Sequence, residues 1–415
     1  MRPEPEGEWV QGWPDRKRAR LMPSKDAEGR TVFARTPLDQ LEGLITPTDA
    51  FYIVTQLTPA DPIHPDDYVF SITGLVDRPL ELKLSDLQKL PTRTVRAVTE
   101  CAGDDADWYR WQKGVGKKPS RILRPQVEQG GWNNMSNESE KPTMEQILEA
   151  IPSSGVVSGG EWTGVSLHEV LKRAGVKPEA TCVHIIGYDE GRPDPTPLYM
   201  STGRMDIEYV DPGVINYDKA LELSKALHED TILAWAMNGE FLQHVHGAPL
   251  RMVVPGWSGN WWVKWIKEIQ LLDYTPECYY QNQYFVLGDS PDDPNRKPCK
   301  QLGCKSIITY PVDEDSPLPK GEHAIRGLAW SGEGAITRVE VSVDDGKTWQ
   351  DAHIEQHGDR WLWRRWMFLW EAKQPGKYVI KARATDENGR VQPQQPWNYQ
   401  QKHFDGITPV DVEII

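Results

Sequence analysis

The feature that most constrains this chain is a change of pattern near residue 300. Beyond it, segments 324–330, 336–343, 361–370, 376–385 and 410–415 read as short strands. They are separated by turn sequences such as Asp344-Asp345-Gly346 and Asp386-Glu387-Asn388-Gly389. That spacing suits an antiparallel sandwich of immunoglobulin type. The residues before it mix helical and strand patterns, so the whole is expected to be α+β: a mixed α/β domain followed by an all-β sandwich. A chain of 415 residues is in any case too long for one ordinary core.

The expected boundaries follow. Residues 1–34, with Pro3, Pro5, Pro14 and Pro23, read as an extended arm. A first domain spans 35–287, a Pro/Asp-rich stretch at 288–320 holds the boundary, and the sandwich covers 300–415. Within the first domain, 67–76 reads as a strand and turn, and 85–90 as a short helix ended by Pro91. Residues 112–160 are polar and read as a long insertion with one helix at 143–151. Ser166 caps a helix that Gly175 stops. Segments 181–188, 250–254 and 263–272 read as strands.

Composition excludes several classes. No apolar run is long enough to span a bilayer, and a net charge of −14 opposes binding to nucleic acid or anionic membranes. No signal pattern opens the sequence, so a soluble cytoplasmic protein is expected, or a periplasmic one if the chain is a processed form. Five scattered cysteines do not make a disulfide framework, although Cys299 and Cys304 are close in sequence. No CxxCH occurs, which argues against covalent haem. Eighteen Trp against seven Phe suit deep, partly polar pockets.

Two segments could carry chemistry. Cys101 ends the β-branched stretch 92–98 and precedes Ala102-Gly103, where a large ligand can approach a thiol closely. A thiolate there would be a nucleophile or a soft metal ligand; a buried structural cysteine is the plainer reading. Farther along, His246-Gly247-Ala248-Pro249-Leu250-Arg251 runs on to Val263-Lys264-Trp265. Arg251 and Lys264 read as an anion or phosphate clamp, or as ordinary charge on adjacent strands. Were His244 and His246 in a strand, alternation would place both imidazoles on one face for a metal, but no third ligand is evident.

Taken together, Cys101-Ala102-Gly103, the block Gly160-Glu161-Trp162-Thr163-Gly164-Val165-Ser166-Leu167 and the His246–Lys264 block resemble the sulfite oxidase family of molybdopterin enzymes. The resemblance extends to Ala329-Trp330-Ser331-Gly332, Arg338–Trp349 and Trp397-Asn398, which look like that family's immunoglobulin-like dimerisation domain. It implies a molybdenum–molybdopterin cofactor with Cys101 as the metal's protein ligand. Tyr52, Thr55, Gln56, Asp189, His246, Arg251, Trp262, Val263 and Lys264 would hold the pterin. Tyr217 would stand beside the metal, with Tyr199 and Tyr209 as rivals. A homodimer through the C-terminal domain is implied. With no haem domain in the chain, a separate electron carrier such as a cytochrome c is implied as well.

Departures from the family pattern bear on the substrate. Sulfite oxidases carry a loop like Phe-x-x-Arg-Asn-His; here Val54 stands in place of the arginine. Ala335 fills another position that is often basic, and Asp104, Asp105 and Asp107 follow the motif cysteine. Fewer cations and added carboxylates disfavour a small dianion, unless Arg96, Arg110, Arg192 or Arg204 compensate. The expectation is oxygen-atom transfer at a sulfur compound other than free sulfite. The alternatives are a reductase of the same fold acting on a sulfoxide or oxyanion, and a cofactor-free binding protein on the same scaffold.

Overall fold

The computed structural model describes residues 30–41, 43–123, 152, 154–193, 211–290 and 293–415, with the backbone of short strands at Glu8–Gln11, Arg18–Leu21 and Ser24–Lys25. The helix expected at 143–151, and with it Tyr199, Tyr209 and Arg204, lies outside the described residues. The α+β expectation needs adjustment. The described chain is mostly strand, and the eight residues Leu167–Ala174 form its longest helix.

Two sheets build the first unit. In one, the strands run Ile215–Glu222, Cys182–Gly191, Ile266–Leu272, Val69–Gly74, Leu80–Lys83. All its pairs are antiparallel except Ile266–Leu272 with Val69–Gly74. The other orders Glu240–Phe241, Ile232–Met237, Val157–Ser166 and Thr92–Glu100, and Arg251–Val253 also pairs with Ile232–Met237. Val95, Ala97 and Trp162 bury one face of the second sheet, and Ile185, Ile269 and Leu271 one face of the first, in a single core. Period-2 alternation makes this possible. Leu167–Ala174 packs Leu167, Val170, Leu171 and Ala174 on that core and ends at Gly175, whose φ of 72° suits glycine.

Two expectations change here. The polar insertion does not run to 160, because Val157–Ser166 is a full strand paired along Thr92–Glu100. The ends of the insertion close on each other, with Ser120 N–H donating to Pro152 O (2.8 Å) and Ser154 N–H to Ser120 O (2.9 Å). Nor is the arm extended to residue 34: Thr31–Ala34 pairs with Ile53–Val54, and Val32 and Ala34 are buried.

The second unit holds two antiparallel four-stranded sheets. One orders Lys305–Tyr310, Gly321–Trp330, Arg364–Ala372, His353–Ile354; the other Gln350–Asp351, Ile336–Ser342, Gly376–Asp386, Val410–Ile414. Ile325, Val339, Val341, Trp366, Ile380 and Val412 fill the space between them. A separate cluster joins the units: Val98 and Val157 pack with Leu302, Ile307, Leu328, Trp330, Leu362 and Trp363. Val98 N–H also donates to Trp361 O (2.9 Å).

Candidate functional site

Strand Thr92–Glu100 delivers Cys101 to the lining of a cleft. The backbone turns at once: Asp104 N–H donates to Cys101 O (2.9 Å), and Gly103 N–H points at the Cys101 sulfur (3.4 Å). Burial pushes the thiol up to about 11, and Gly103 N–H and Lys402 oppose that shift. A thiol in this setting becomes a thiolate when a cation or metal takes the charge.

The opposite walls come from distant segments. Loop residues Phe51, Tyr52, Ile53, Val54, Thr55 and Gln56 form one side; Asp189 and Tyr217 come from neighbouring strands; His246, Arg251, Asn260, Trp262 and Lys264 complete it. Ten of the eleven residues singled out in the sequence, Cys101 among them, therefore share one cleft. Val263 is the exception: its side chain lies in the core beside the cleft, and its carbonyl accepts from Met252 N–H (2.8 Å). Sequence reasoning missed Thr99, Gly259, Asn260 and Phe285 as lining residues. Gly259 carried a signal in hindsight. A Cβ there would lie 2.4 Å from the Tyr52 hydroxyl, so a larger residue would displace the Tyr52 side chain.

The polar groups of the cleft divide into engaged and unmet. Arg251 donates to His246 O (2.8 Å) and Trp262 O (3.2 Å), and its guanidinium lies 4.8 Å from the Trp162 ring. Lys264 donates to Thr55 Oγ1 (2.7 Å) and Val245 O (3.2 Å). Tyr217 donates to Asn260 O (2.7 Å), and the hydroxyls of Tyr52 and Thr99 share a bond of 2.9 Å. By contrast Asp189 Oδ1, His246 Nε2 and Asn260 Nδ2 are buried without a hydrogen-bond partner. Orphaned buried polar atoms are costly in a finished core and rare in native proteins. Here they face a cavity beside a soft sulfur donor and two cations. That donor set fits a large polar ligand with an anionic end and a thiolate-bound metal.

Burial sets the charge states. It pushes His246 down to about 3, with Arg251 and Lys264 adding to the shift, so this imidazole is neutral. Burial moves Asp189 up and Lys264 down, and each opposes the other's shift as a facing charge. His244 and His246 sit in a 3₁₀ turn ended by Gly247 at φ 103°, not in a strand. They diverge: His244 stacks on Trp265 while His246 lines the cleft. The shared-face metal reading of this pair is therefore withdrawn.

The carboxylates after Cys101 also differ from expectation. Asp104 accepts from Val156 N–H (2.8 Å), and Asp105 pairs with Arg121 (3.0 Å) and Lys305 (2.9 Å). Glu100 meets Lys305 (2.6 Å) and Trp330 Nε1–H (2.8 Å). Asp107 is paired with Arg110. These groups turn toward the second unit, none lines the cleft, and Lys305 and Arg121 offset much of their charge. The chain turns over residues 102–106, closed by Asp104 N–H donating to Cys101 O and with Asp105 at φ 58°. Arg96 is held by Glu161 (2.7 Å) and Arg192 by Asp211, so neither supplies the cleft with a cation.

Comparison with known proteins decides the family. Residues 57–132 and 133–280 match the family described as oxidoreductase molybdopterin binding domain, and 296–401 the Mo-co oxidoreductase dimerisation domain. The chain belongs to the sulfite oxidase family. Its cofactor is molybdenum–molybdopterin. Among relatives of this family, mitochondrial sulfite oxidase of Rattus norvegicus is 28% identical over 369 residues, which is 85% of this chain and 58% of that protein. Nitrate reductase [NADH] 1 of Phaseolus vulgaris is 29% identical over 396 residues, 88% of this chain and 39% of that one. The chain thus spans under two thirds of these relatives' length. The sulfane dehydrogenase SoxCD from Paracoccus pantotrophus superposes with a TM-score of 0.71 at 28% identity, covering 92% of this chain and 86% of that one. Among the described residues, no helix of this sulfite oxidase family member is long and apolar enough to cross a membrane.

Proposed function

We propose that this protein transfers an oxygen atom to a sulfur-containing substrate other than free sulfite, and passes the electrons to a separate carrier such as a cytochrome c. The observation that carries the reading is the shared cleft of Cys101, two engaged cations and three unmet polar atoms. Molybdenum–molybdopterin supplies the two-electron oxygen-atom chemistry. Cys101 is the metal's protein ligand. Arg251 and Lys264 hold the phosphate end of the pterin, one as a stacked fork and one as a point charge. Asp189, His246 and Asn260 answer its polar edges. Tyr52, Thr55, Gln56, Trp262 and Val263 shape its bed. Tyr217, fixed by Asn260 O, presents its ring and hydroxyl at the reacting end and steadies a proton there.

The substrate side supports a target other than a small dianion. Val54 lines the cleft, and both lining cations already donate to main-chain carbonyls. The sulfane substrate named for SoxCD is in keeping with this. The second unit, read as an immunoglobulin-type sandwich, makes a homodimer contact; Met367 and Leu369 stand exposed on one face of Arg364–Ala372. Steady-state turnover of the molybdenum-loaded protein with sulfite, thiosulfate and a polysulfide, against ferricytochrome c, tests the substrate reading. Faster oxidation of the sulfane-bearing compounds supports it. Vigorous sulfite oxidation overturns it.

A further inference from the structure

Behind the cleft, on the reverse face of the strand that carries Tyr217, three side chains of different chemistry converge. They are His184 on Cys182–Gly191, Asp218 on Ile215–Glu222, and Cys278 just before the turn Tyr280–Tyr284. One donor atom from each lies within 4.8 Å of the other two. His184 Nε2 and Asp218 Oδ2 are 2.8 Å apart. Alternation explains the arrangement: Tyr217 and Lys219 point one way from their strand, Asp218 and Ala220 the other. Cross-strand register sets His184 opposite Ala220 and Ile186 opposite Asp218, so His184 and Asp218 are diagonal neighbours on one face. The 278–281 segment is pinned above them, with Ala220 N–H donating to Gln281 Oε1 (2.9 Å) and Cys278 N–H to Asn282 Oδ1 (3.1 Å).

We propose that His184, Asp218 and Cys278 form a second metal site, separate from the molybdenum cleft, for a divalent ion of zinc type. One imidazole, one carboxylate and one thiolate are the donor classes such an ion takes, with a fourth position left for water. Donor separations in a tetrahedral site are roughly 3–4 Å, so loading requires the His184–Asp218 pair to open slightly and the Cys278 sulfur to close by about an ångström or less. The two anionic ligands cancel the charge of the ion. Entry is open from one side: the His184 and Asp218 side chains are 12% and 18% exposed, while Cys278 is buried.

Binding forms the metal–sulfur bond, breaks S–H and releases that proton to solvent, one per ion at neutral pH. Around the site, Cys182 packs against Cys278 and Ala220, and Lys219 lies over the Tyr217, Trp261 and Phe285 rings on the opposite face.

The experiment is a titration of the full chain with Co²⁺, followed by displacement with Zn²⁺. The expected result is one cobalt per chain, a sulfur-to-cobalt charge-transfer band, and about one proton released per ion. The band is retained in Cys101→Ser and lost in Cys278→Ser. In His184→Gln, Zn²⁺ affinity falls by at least about 10-fold, with the thermal midpoint of the metal-free protein held as a folding control. Absence of a thiolate band in the native chain overturns the proposal. So does a band that survives Cys278→Ser, or one that disappears in Cys101→Ser. None of these outcomes depends on the substrate or on activity.

Discussion

Two buried polar regions lie back to back around Cys101, and they are built on opposite terms. In the cleft, Asp189, His246 and Asn260 each leave an atom without a partner. On the far side of the same turn, Glu100, Asp104 and Asp105 meet Lys305 and Arg121 in a compact ion cluster. Both regions are buried and rich in charge, so burial alone does not separate a binding site from a structural device. What separates them is completeness. Each carboxylate of the cluster lies within 3.9 Å of a cation of the chain, although Asp104 Oδ2 makes no hydrogen bond, whereas the cleft leaves one atom on each of three side chains for a ligand.

The sharpest way to break this contrast is Cys101→Ser. Molybdenum-dependent turnover should drop by at least about 1000-fold, roughly 4 kcal/mol of barrier, with little change in thermal midpoint. A large loss of stability instead would make Cys101 part of the closed region. The mirror experiment is Lys305→Met. It leaves three buried carboxylates facing one guanidinium and should cost about 3–5 kcal/mol in urea denaturation of the metal-free protein. If that variant lost cofactor but not stability, the two regions would not be distinct.

Lys264→Met should weaken cofactor retention by about 10–100-fold, read as molybdenum per chain after dialysis, with folding intact. The pH dependence of stability sharpens the same point. His246 is pushed down to about 3 from an ordinary value near 6.5. Between those values the unfolded chain binds a proton that the folded chain does not, so stability falls as pH drops through that window. The slope from this one group is at most about 1.4 kcal/mol per pH unit, and His246→Gln should remove it from urea midpoints measured against pH. Smallest is Trp330→Phe, which deletes one donor to Glu100 and should cost about 1–2 kcal/mol with cofactor content unchanged.

How much of this was legible in the sequence follows the same division. The cleft was readable because its residues fall in compact blocks whose order carries the family resemblance: Cys101 with Gly103, then His246 to Lys264. Its missing members, Asn260 and Phe285, carry no chemistry that marks them outside the fold. The ion cluster was not readable. Lys305 stands some two hundred residues from Glu100, and nothing in either segment announces the other. The direction of Asp104 and Asp105 was misjudged for a related reason. The carboxylates sit in a tight turn that includes a left-handed residue at Asp105, and spacing alone does not reveal such a turn. The His244–His246 pair failed similarly, since Gly247 closes a turn where alternation had been assumed.

The hydrophobic cluster that joins the units has a consequence for how such a protein can vary. Val98 and Val157, from the strands that present Cys101, pack directly against Trp330, Leu362 and Trp363. A foreign C-terminal module spliced on at residue 300 would arrive without the matching apolar surface and without the counter-ion for Glu100. Such a chimera should therefore be less stable than the parent chain, with exposed apolar surface on the first unit and Glu100 buried without its cation.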